Sequence, residues 1–372
     1  MPNLRFPAAL NKPARLLLLV ATAAALASGS GAVFAAAAAT VTPPPLQRIG
    51  TLSIPGKPLQ KFDIGYVKHG IYAFSDKSNH SLDFFDAATG RFLGRATGFG
   101  TGPKGVVAVG KHQFWAGDGD SGTVKVVDVQ SRKIIASIPT EQGMETDELT
   151  YDKRDHVVAV VSKQDGRSPF LNFISTVTHR LVGKVELTHA TDGAEQSVWV
   201  PSTGLVYLSI PVLDHVEAHG GIAVIDPRTY TLVKTIPLEK CVPAGLALGP
   251  NDDLLVGCSD DAVAAGFPAQ SLIVNARSSQ IVGHLPQVGG SDEVYSDRDA
   301  GRYYLAAVAN PGGPVLGVVD ARTRTWIANL PTGPDAHSVA ADSKTGKVFV
   351  PIAASRGFGA CKRGCIAVYG PR

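Results

Sequence analysis

After about residue 46, the chain alternates between short apolar segments and turn residues along almost its whole length. Apolar positions either alternate with polar ones or run in groups of four and five, and glycine and proline interrupt them throughout. Patterns with a helical period are nearly absent from this part of the sequence. The pattern predicts many short β-strands joined by turns, and therefore an all-β fold.

One signature recurs, an apolar strand that ends in aspartate or a substitute residue, followed by a turn and a second strand. Copies end at Asp86, Asp128, Ser175, Asp226, Asn275, Asp320 and Gly370. Their spacing of about 47 residues is typical of propeller blades. The strand before each signature is an independent landmark, and it also occurs seven times. We therefore predict seven four-stranded blades, in which each aspartate accepts backbone N–H groups of the following turn.

The two ends of the chain are complementary. The last strand, Ile366 to Tyr369, matches the third strand of a blade, and the sequence then stops. The segment from Leu46 to Ile54, which proline follows, is similar to the fourth strands of other repeats. We expect this N-terminal strand to pair with the C-terminal blade and close the ring, because closure removes exposed sheet edges.

The repeat Ala-Val-Ile-Asp-Pro-Arg-Thr at residues 223 to 229, with Ile-Pro and Gly-Leu-Ala further on, resembles bacterial YVTN-type, YncE-like propellers. The resemblance covers essentially the whole chain after residue 45 and implies a seven-bladed β-propeller. It implies no single activity, because such folds host binding proteins, scaffolds, lactonases and lyases.

The N-terminus has the three-part layout of a secretory signal peptide. A basic stretch precedes an apolar run from Leu16 to Ala27, and small residues follow up to Ala35. A run of about twelve residues is too short to span a bilayer, so we expect no stable membrane anchor. We predict a signal peptide at 1–35, a flexible Ala/Pro linker at 36–45, a propeller at 46–372, and a periplasmic or secreted product.

Net charge argues against one class of partner. The full chain has a formal charge of +3, but residues 1–40 hold three basic residues and no acidic ones, which leaves 32 of each sign. The near-neutral remainder lacks the basic excess that drives non-specific binding of nucleic acid. We expect a monomer whose partner is a small molecule or a periplasmic protein.

All four cysteines are predicted to lie on one face, which we call the upper face. It carries the loops that enter the inner strands and those that join the second strand of a blade to the third. Cys241 and Cys258 lie at the ends of neighbouring strands, within reach of a disulfide, and Cys361 with Cys365 would close a small loop. The alternative is a thiolate metal site or a redox pair.

The residues that begin the inner strands are unusually polar: Asp63, Lys104, Asp147, Glu148, Glu195, Gln196, Asp292, Glu293 and His337. Because side chains alternate along a strand, we expect only one of each adjacent pair to point into the channel. All of them except Asp147 are our ligand-binding candidates. The competing interpretation is an ordinary water-filled channel mouth, in which the carboxylates pair with Lys104 or with loop N–H groups.

Crowded carboxylates raise one another's pKa or recruit a cation. A divalent cation such as calcium would therefore suit this ring as a cofactor, with Asp147, Glu195, Glu293 and His337 as candidate ligands. Glu148, Glu293 and His337 are the candidates for acid–base catalysis. A second and weaker metal candidate is the pair His215 and His219, near His189. The competing interpretation of that pair is a solvated polar loop.

Two functions follow from these residues. The first is an exported propeller that binds a small molecule, metal or protein partner at the upper mouth of its channel. The alternative is a metal-assisted hydrolase or lyase of the lactonase type, in which the carboxylates and His337 hold a cation and move a proton. The signatures of serine hydrolases, zincins and P-loop NTPases do not occur in the sequence.

Overall fold

The computed structural model describes residues 46–164, 166–356 and 361–371. The predicted signal peptide and linker lie outside the described residues. Within them, 28 strands form seven antiparallel sheets of four strands each. The predicted all-β, seven-bladed propeller is confirmed. None of the described helices is long and apolar enough to cross a bilayer.

In blades 1 to 6 the strands run outward from the channel in chain order, and in blade 7 the N-terminal strand is outermost. Blades 1 and 2 consist of β2 (Gly65–Lys68), β3 (Ile71–Asp76), β4 (Ser81–Asp86) and β5 (Phe92–Thr97), then β6 (Val106–Val109), β7 (Gln113–Gly117), β8 (Thr123–Asp128) and β9 (Lys133–Pro139). Blades 3 and 4 consist of β10 (Glu145–Asp152), β11 (Val157–Gln164), β12 (Arg167–Ser175) and β13 (Arg180–Glu186), then β14 (Ser197–Val200), β15 (Leu205–Ile210), β16 (His219–Asp226) and β17 (Thr231–Glu239).

Blades 5 and 6 consist of β18 (Pro243–Leu248), β19 (Asp253–Cys258), β20 (Ser271–Asn275) and β21 (Ile281–Leu285), then β22 (Ser291–Asp297), β23 (Arg302–Ala307), β24 (Val315–Asp320) and β25 (Thr325–Pro331). Blade 7 consists of β26 (Ala340–Asp342), β27 (Lys347–Ile352), β28 (Cys365–Pro371) and β1 (Leu46–Leu52). Two short helices, a 3-10 turn at Pro250–Asp252 and α1 at Asp260–Ala264, flank β19.

The ring closes as predicted. Strand β1 is the outermost strand of blade 7 and pairs antiparallel with β28, with Arg48 opposite Tyr369 and Thr51 opposite Ala367. The first and last strands of the described chain therefore complete one sheet, in which β28 is paired on both edges, with β27 and with β1.

Local chemistry explains the turn after each third strand. Signature aspartates accept backbone N–H groups at 2.7 to 2.9 Å in four blades: Asp86 from Thr89, Asp128 from Ser131, Asp226 from Arg228, and Asp320 from Arg322 and Thr323. The predicted structural role of these aspartates is confirmed.

The core lies between blades, because side chains on both faces of each sheet are buried against a neighbouring sheet. Trp115 of blade 2 packs in one cluster with Val160 of blade 3, and Tyr207 of blade 4 packs with Leu254 of blade 5. This packing fixes the inner strands around the channel, so that their first residues meet at its upper mouth.

Candidate functional site

The upper face encloses a cavity of about 1160 Å³, which we call the upper funnel. Its described lining contains twelve carboxylates: Asp63, Asp120, Glu145, Asp147, Glu148, Asp192, Glu195, Asp260, Asp261, Asp292, Glu293 and Asp335. Six basic residues line it as well: Lys61, Lys77, Lys104, Lys163, Arg167 and His337. Carboxyl groups therefore outnumber basic side chains by two to one in the described lining of this cavity.

Two inner strands present more carboxylates to the funnel than strict alternation allows. The pairing of β10 with β11 shifts register between Thr146 and Leu149, and that of β22 with β23 shifts between Ser291 and Val294. Each shift adds one residue to the inner strand, which makes a β-bulge and breaks the alternation of side chains. Both residues of each adjacent acidic pair consequently line the funnel: Asp147 with Glu148, and Asp292 with Glu293.

Our expectation that only one residue of each pair would face the channel is therefore wrong for these two pairs. Glycines in the preceding blades make room for the bulges. A Cβ atom on Gly105 would lie 2.5 Å from the carbonyl oxygen of Asp147, and one on Gly245 would lie 2.7 Å from that of Asp292. The bulges are thus held by close backbone contact between neighbouring blades.

On the side of blades 1 to 4, lysines neutralise the carboxylates. Lys163 Nζ lies 2.9 Å from Asp147 Oδ2 and 2.8 Å from Glu195 Oε1, while Lys104 contacts Glu145 and lies 3.6 Å from Asp147 Oδ2. Burial alone would raise the pKa of Asp147, but attraction by Lys163 and Lys104 outweighs it and lowers the pKa to about 2. Asp147 is therefore an ionised, paired carboxylate at neutral pH.

At the floor of the funnel, two glutamates from different sides of the ring meet. The side chains of Glu148, in blade 3, and Glu293, in blade 6, hydrogen-bond to each other, and both are buried. Burial raises the pKa of each carboxyl, and nearby acidic groups raise it further: Asp147 for Glu148, and Asp292 for Glu293. A hydrogen bond between two carboxyls requires a proton on at least one of them, so the contact and the raised pKa values both favour protonation of this pair.

His337 lines the upper funnel just before β26, the inner strand of blade 7. Its ring stacks on Phe62 with centroids 4.4 Å apart, and its Nδ1 lies 2.9 Å from the carbonyl oxygen of Asp335. Burial opposes protonation, but Asp335 and Asp292 outweigh it and raise the pKa of His337 to about 9. Burial raises the pKa of Asp292 to about 7, although His337 opposes this shift. At neutral pH His337 is therefore a cation, and a proton donor rather than a base.

We expect the free energy of unfolding to fall as pH rises from 6.5 to 9. The pKa of His337 is about 9 in the folded protein against 6.5 as its ordinary value, so its stabilising effect is complete below pH 6.5 and disappears as pH passes 9. The expected loss is up to about 3 kcal/mol. Urea denaturation across this range checks it, with His337→Gln as the control in which the decline should be smaller, since only the funnel carboxyls with a raised pKa still contribute to it. A wild-type curve parallel to that of the variant would contradict the assignment.

The structure brings most of the predicted ligand-binding residues together. Asp63, Lys104, Glu148, Glu195, Asp292, Glu293 and His337 all line the upper funnel. Gln196 does not, because its side-chain oxygen accepts the N–H of Leu246 at 2.7 Å and ties blade 4 to blade 5. It lines the channel below the glutamate pair.

The predicted metal ligands are only partly brought together. Among the described residues, the group whose ligand atoms lie within 4.8 Å of one another consists of Asp63, Asp147 and Glu148. Of the four candidates, this group includes Asp147 and leaves out Glu195, Glu293 and His337. Lysine already neutralises two of its members, since Lys77 lies 3.2 Å from Asp63 and Lys163 lies 2.9 Å from Asp147.

The second histidine cluster is not assembled into a ligand set within the described residues. His219 Nε2 lies 3.5 Å from Glu239, and His189 Nδ1 lies 2.7 Å from Asp214 Oδ1, with all of these side chains exposed. His215 lies in a turn with φ of 61°, so the spacing of four residues does not place the two histidines on one helical face. The geometry favours the solvated-loop interpretation.

Both predicted disulfides are present. Cys241 pairs with Cys258, and Cys361 pairs with Cys365, so the described chain contains no free cysteine. The first bridge joins the entry of β18 to the end of β19, and the second lies in the loop before β28. Both therefore brace the upper face, and in this disulfide-bonded form none of the described cysteines offers a thiolate to a metal.

Several residues that line the funnel were not among the candidates predicted from the sequence, above all Lys77, Glu145, Lys163 and Asp335. One signal was available: Lys163 follows the apolar run from Val157 to Val161 on a strand that is otherwise buried. A lysine at that position requires a carboxylate nearby, and Glu145 is its cross-strand partner. Lys77 and Asp335 lie in upper-face loops, where the sequence has no comparable pattern.

The ring of seven four-stranded blades around a polar channel defines this chain as a seven-bladed β-propeller. A solved structure, Kuenenia stuttgartiensis hydrazine synthase, has a similar fold, with a TM-score of 0.66 and 13% sequence identity over 85% of this chain and 98% of that chain. At this identity the similarity concerns the fold alone. No protein-family model matches the sequence, and the comparison with curated proteins gives no match.

Proposed function

We propose that this protein is a binding propeller whose upper funnel takes a small organic cation above the Glu148–Glu293 pair. The observation that carries the proposal is the uneven neutralisation of the funnel. Lys77, Lys104 and Lys163 pair with carboxylates on one side. Across the channel, Asp260, Asp261, Asp292 and Glu293 form no ion pair with a lysine or arginine among the described residues, and His337 is the basic group that acts on Asp292.

Acidic groups on this side of the funnel repel one another, which favours a positively charged ligand. Burial raises the pKa of Asp261, and repulsion by Asp260 and Asp192 raises it further. Burial also raises the pKa of Asp292, and repulsion by Glu195 and Asp260 adds to this rise. A bound ammonium or guanidinium group would favour the ionised carboxylates, and a partly buried site strengthens this attraction relative to water.

The first test is calorimetric titration with putrescine, a primary diamine, at low salt. We expect Asp292→Asn to weaken binding by about tenfold, the effect of losing about 1.4 kcal/mol of charge interaction. Asp120→Asn is the matched control, since this exposed carboxylate at the rim lies outside the acidic cluster. Equal weakening by both variants would indicate non-specific attraction, and the absence of heat with putrescine, agmatine and choline would refute the proposal.

A pH series extends this test. Because the pKa of Asp292 is raised to about 7, this group is protonated below that pH and ionised above it. Affinity for putrescine, which keeps its charge over this range, should therefore rise between pH 6 and pH 8. Asp292→Asn should flatten the profile in the same window, and a flat wild-type profile would count against Asp292 as a ligand.

A metal-assisted hydrolase or lyase is the second candidate, and one observation favours it. The ligand atoms of Asp63, Asp147 and Glu148 lie within 4.8 Å of one another, which suits an oxygen-preferring cation such as calcium. Competition with Lys77 and Lys163 counts against it. A thermal shift with Ca²⁺, Mn²⁺ or Zn²⁺ that Asp63→Asn removes would favour this candidate over the organic cation.

We also propose membership of the YVTN-type, YncE-like propellers and export to the periplasm or medium as a monomer. The spacing of the repeats supports the first proposal. Two disulfides support the second, since such bonds form and persist in oxidising compartments. Intact mass of the secreted protein should correspond to cleavage after Ala35.

A further inference from the structure

A second cavity lies on the opposite side of the Glu148–Glu293 pair. It has a volume of about 510 Å³, and its walls come from the inner strands and the loops that lead to the second strands. We call it the lower cavity. Glu148 and Glu293 line both cavities, so the hydrogen-bonded pair separates them. Its volume lies within the range of about 300 to 1,000 Å³ found for small-molecule sites.

The walls of the lower cavity are aromatic and aliphatic, unlike those of the upper funnel. Four large aromatic side chains contribute to them: Tyr66, Tyr151, Trp199 and Tyr295. The rings of Tyr66 and Tyr295 meet edge to face, with centroids 6.3 Å apart. Val107, Leu149, Leu248 and Val294 also line this cavity. Such walls favour a flat apolar or aromatic body over a hydrated ion.

The charges at the two mouths have opposite signs. Lys68, Lys153 and Arg298 are exposed at the rim of the lower cavity. In the part of the chain that the structure describes, none of these three cations has a hydrogen-bond or ion-pair partner. The carboxyls of the lower cavity are Glu148 and Glu293, which lie at its closed end and bond to each other. The rim therefore attracts an anionic group.

Three residues of the lower cavity carry buried polar atoms without a partner among the described residues: Ser197 Oγ, Trp199 Nε1 and Ser296 Oγ. Ser197 and Trp199 are only 7% and 8% exposed. Buried polar groups are normally hydrogen-bonded, and all three atoms can donate. The three atoms have almost no surface accessible to water, so they lie behind the cavity wall, and the case for a ligand rests on the aromatic walls and the rim charges.

We propose that the lower cavity is a second binding site, which takes a small aromatic carboxylate with its ring among the tyrosines and its carboxylate towards Lys68, Lys153 and Arg298. The site is separate from the upper funnel in position and in sign of charge. Its existence does not depend on the organic cation proposed above.

Calorimetric titration of the mature protein with benzoate, 2-naphthoate and indole-3-acetate tests this proposal. We expect saturable binding of at least one of these acids, and about tenfold weaker binding of the neutral alcohol of matching shape. The double variant Lys153→Gln/Arg298→Gln should also weaken binding by about tenfold. Lys111→Gln is the matched control, since this exposed lysine lies in a lower-face loop outside the cavity. It should leave the affinity unchanged.

Asp120→Asn, at the exposed rim of the upper funnel, provides the second control and should also leave acid binding unchanged. The proposal is overturned if all three acids fail to bind saturably, or if the neutral alcohols bind equally well. It is also overturned if the double variant binds like wild type, or if Asp120→Asn weakens acid binding as strongly as the double variant does. Circular dichroism of each variant confirms that it is folded.

Discussion

Replacing Lys163 with methionine is expected to destabilise the protein by about 3 to 5 kcal/mol at pH 7, the cost of leaving a buried charge without its partner. Lys163 is the nearest cation to Asp147, at 2.9 Å, and it also holds Glu195 at 2.8 Å. The Asp147 side chain is only 6% exposed. Lys104, at 3.6 Å and engaged with Glu145, cannot replace both contacts. Urea denaturation monitored by tryptophan fluorescence measures the change.

Two controls isolate the buried pair. The double variant Lys163→Met/Asp147→Asn should recover part of the lost stability, because the buried Asp147 no longer carries a charge, whereas Glu195 still lacks its lysine. Lys184→Met removes an exposed lysine that pairs with Glu141 and Glu186, and should cost less than about 1 kcal/mol. If Lys163→Met costs no more than Lys184→Met, Asp147 is not held as a buried carboxylate.

The second large effect is expected from Gly117→Ala, which should cost about 2 to 3 kcal/mol as an overpacking change. A Cβ atom on Gly117 would lie 2.4 Å from the carbonyl oxygen of Thr146 and 2.9 Å from that of Asp147. These contacts are with backbone atoms of the bulge, which no change of side-chain rotamer can relieve. The bulge must therefore move, and Asp147 and Glu148 must move with it.

This variant should consequently weaken putrescine binding in the upper funnel as well as lower stability. Gly50→Ala is the control, because nothing lies within 4 Å of its added Cβ atom and its backbone is compatible with alanine. That change should be neutral to within about 0.5 kcal/mol, as for most surface substitutions. A Gly117→Ala protein with wild-type stability would mean that the bulge is not held by contact between blades.

These two predictions concern features that could not be derived from the sequence. The repeats predicted the blades, the turn aspartates and the ring closure, because each depends on local chemistry repeated at a fixed period. The cysteine pairs followed, because the blade topology places Cys241 and Cys258 at adjoining strand ends. The polar residues that begin the inner strands likewise predicted the position of the funnel. Seven of the eight ligand-binding candidates line it.

The sequence by itself therefore determined the architecture and the position of the upper mouth. The tertiary structure decided which charges are neutralised there, since Lys163 reaches Asp147 and Glu195 from a strand that the repeat pattern marks only as apolar. It also decided that both members of each acidic pair face the funnel, because a one-residue shift in register depends on how one blade packs against the glycines of the preceding blade. Periodicity fixes the order of side chains along a strand, but contacts between strands distant in sequence fix their register and partners.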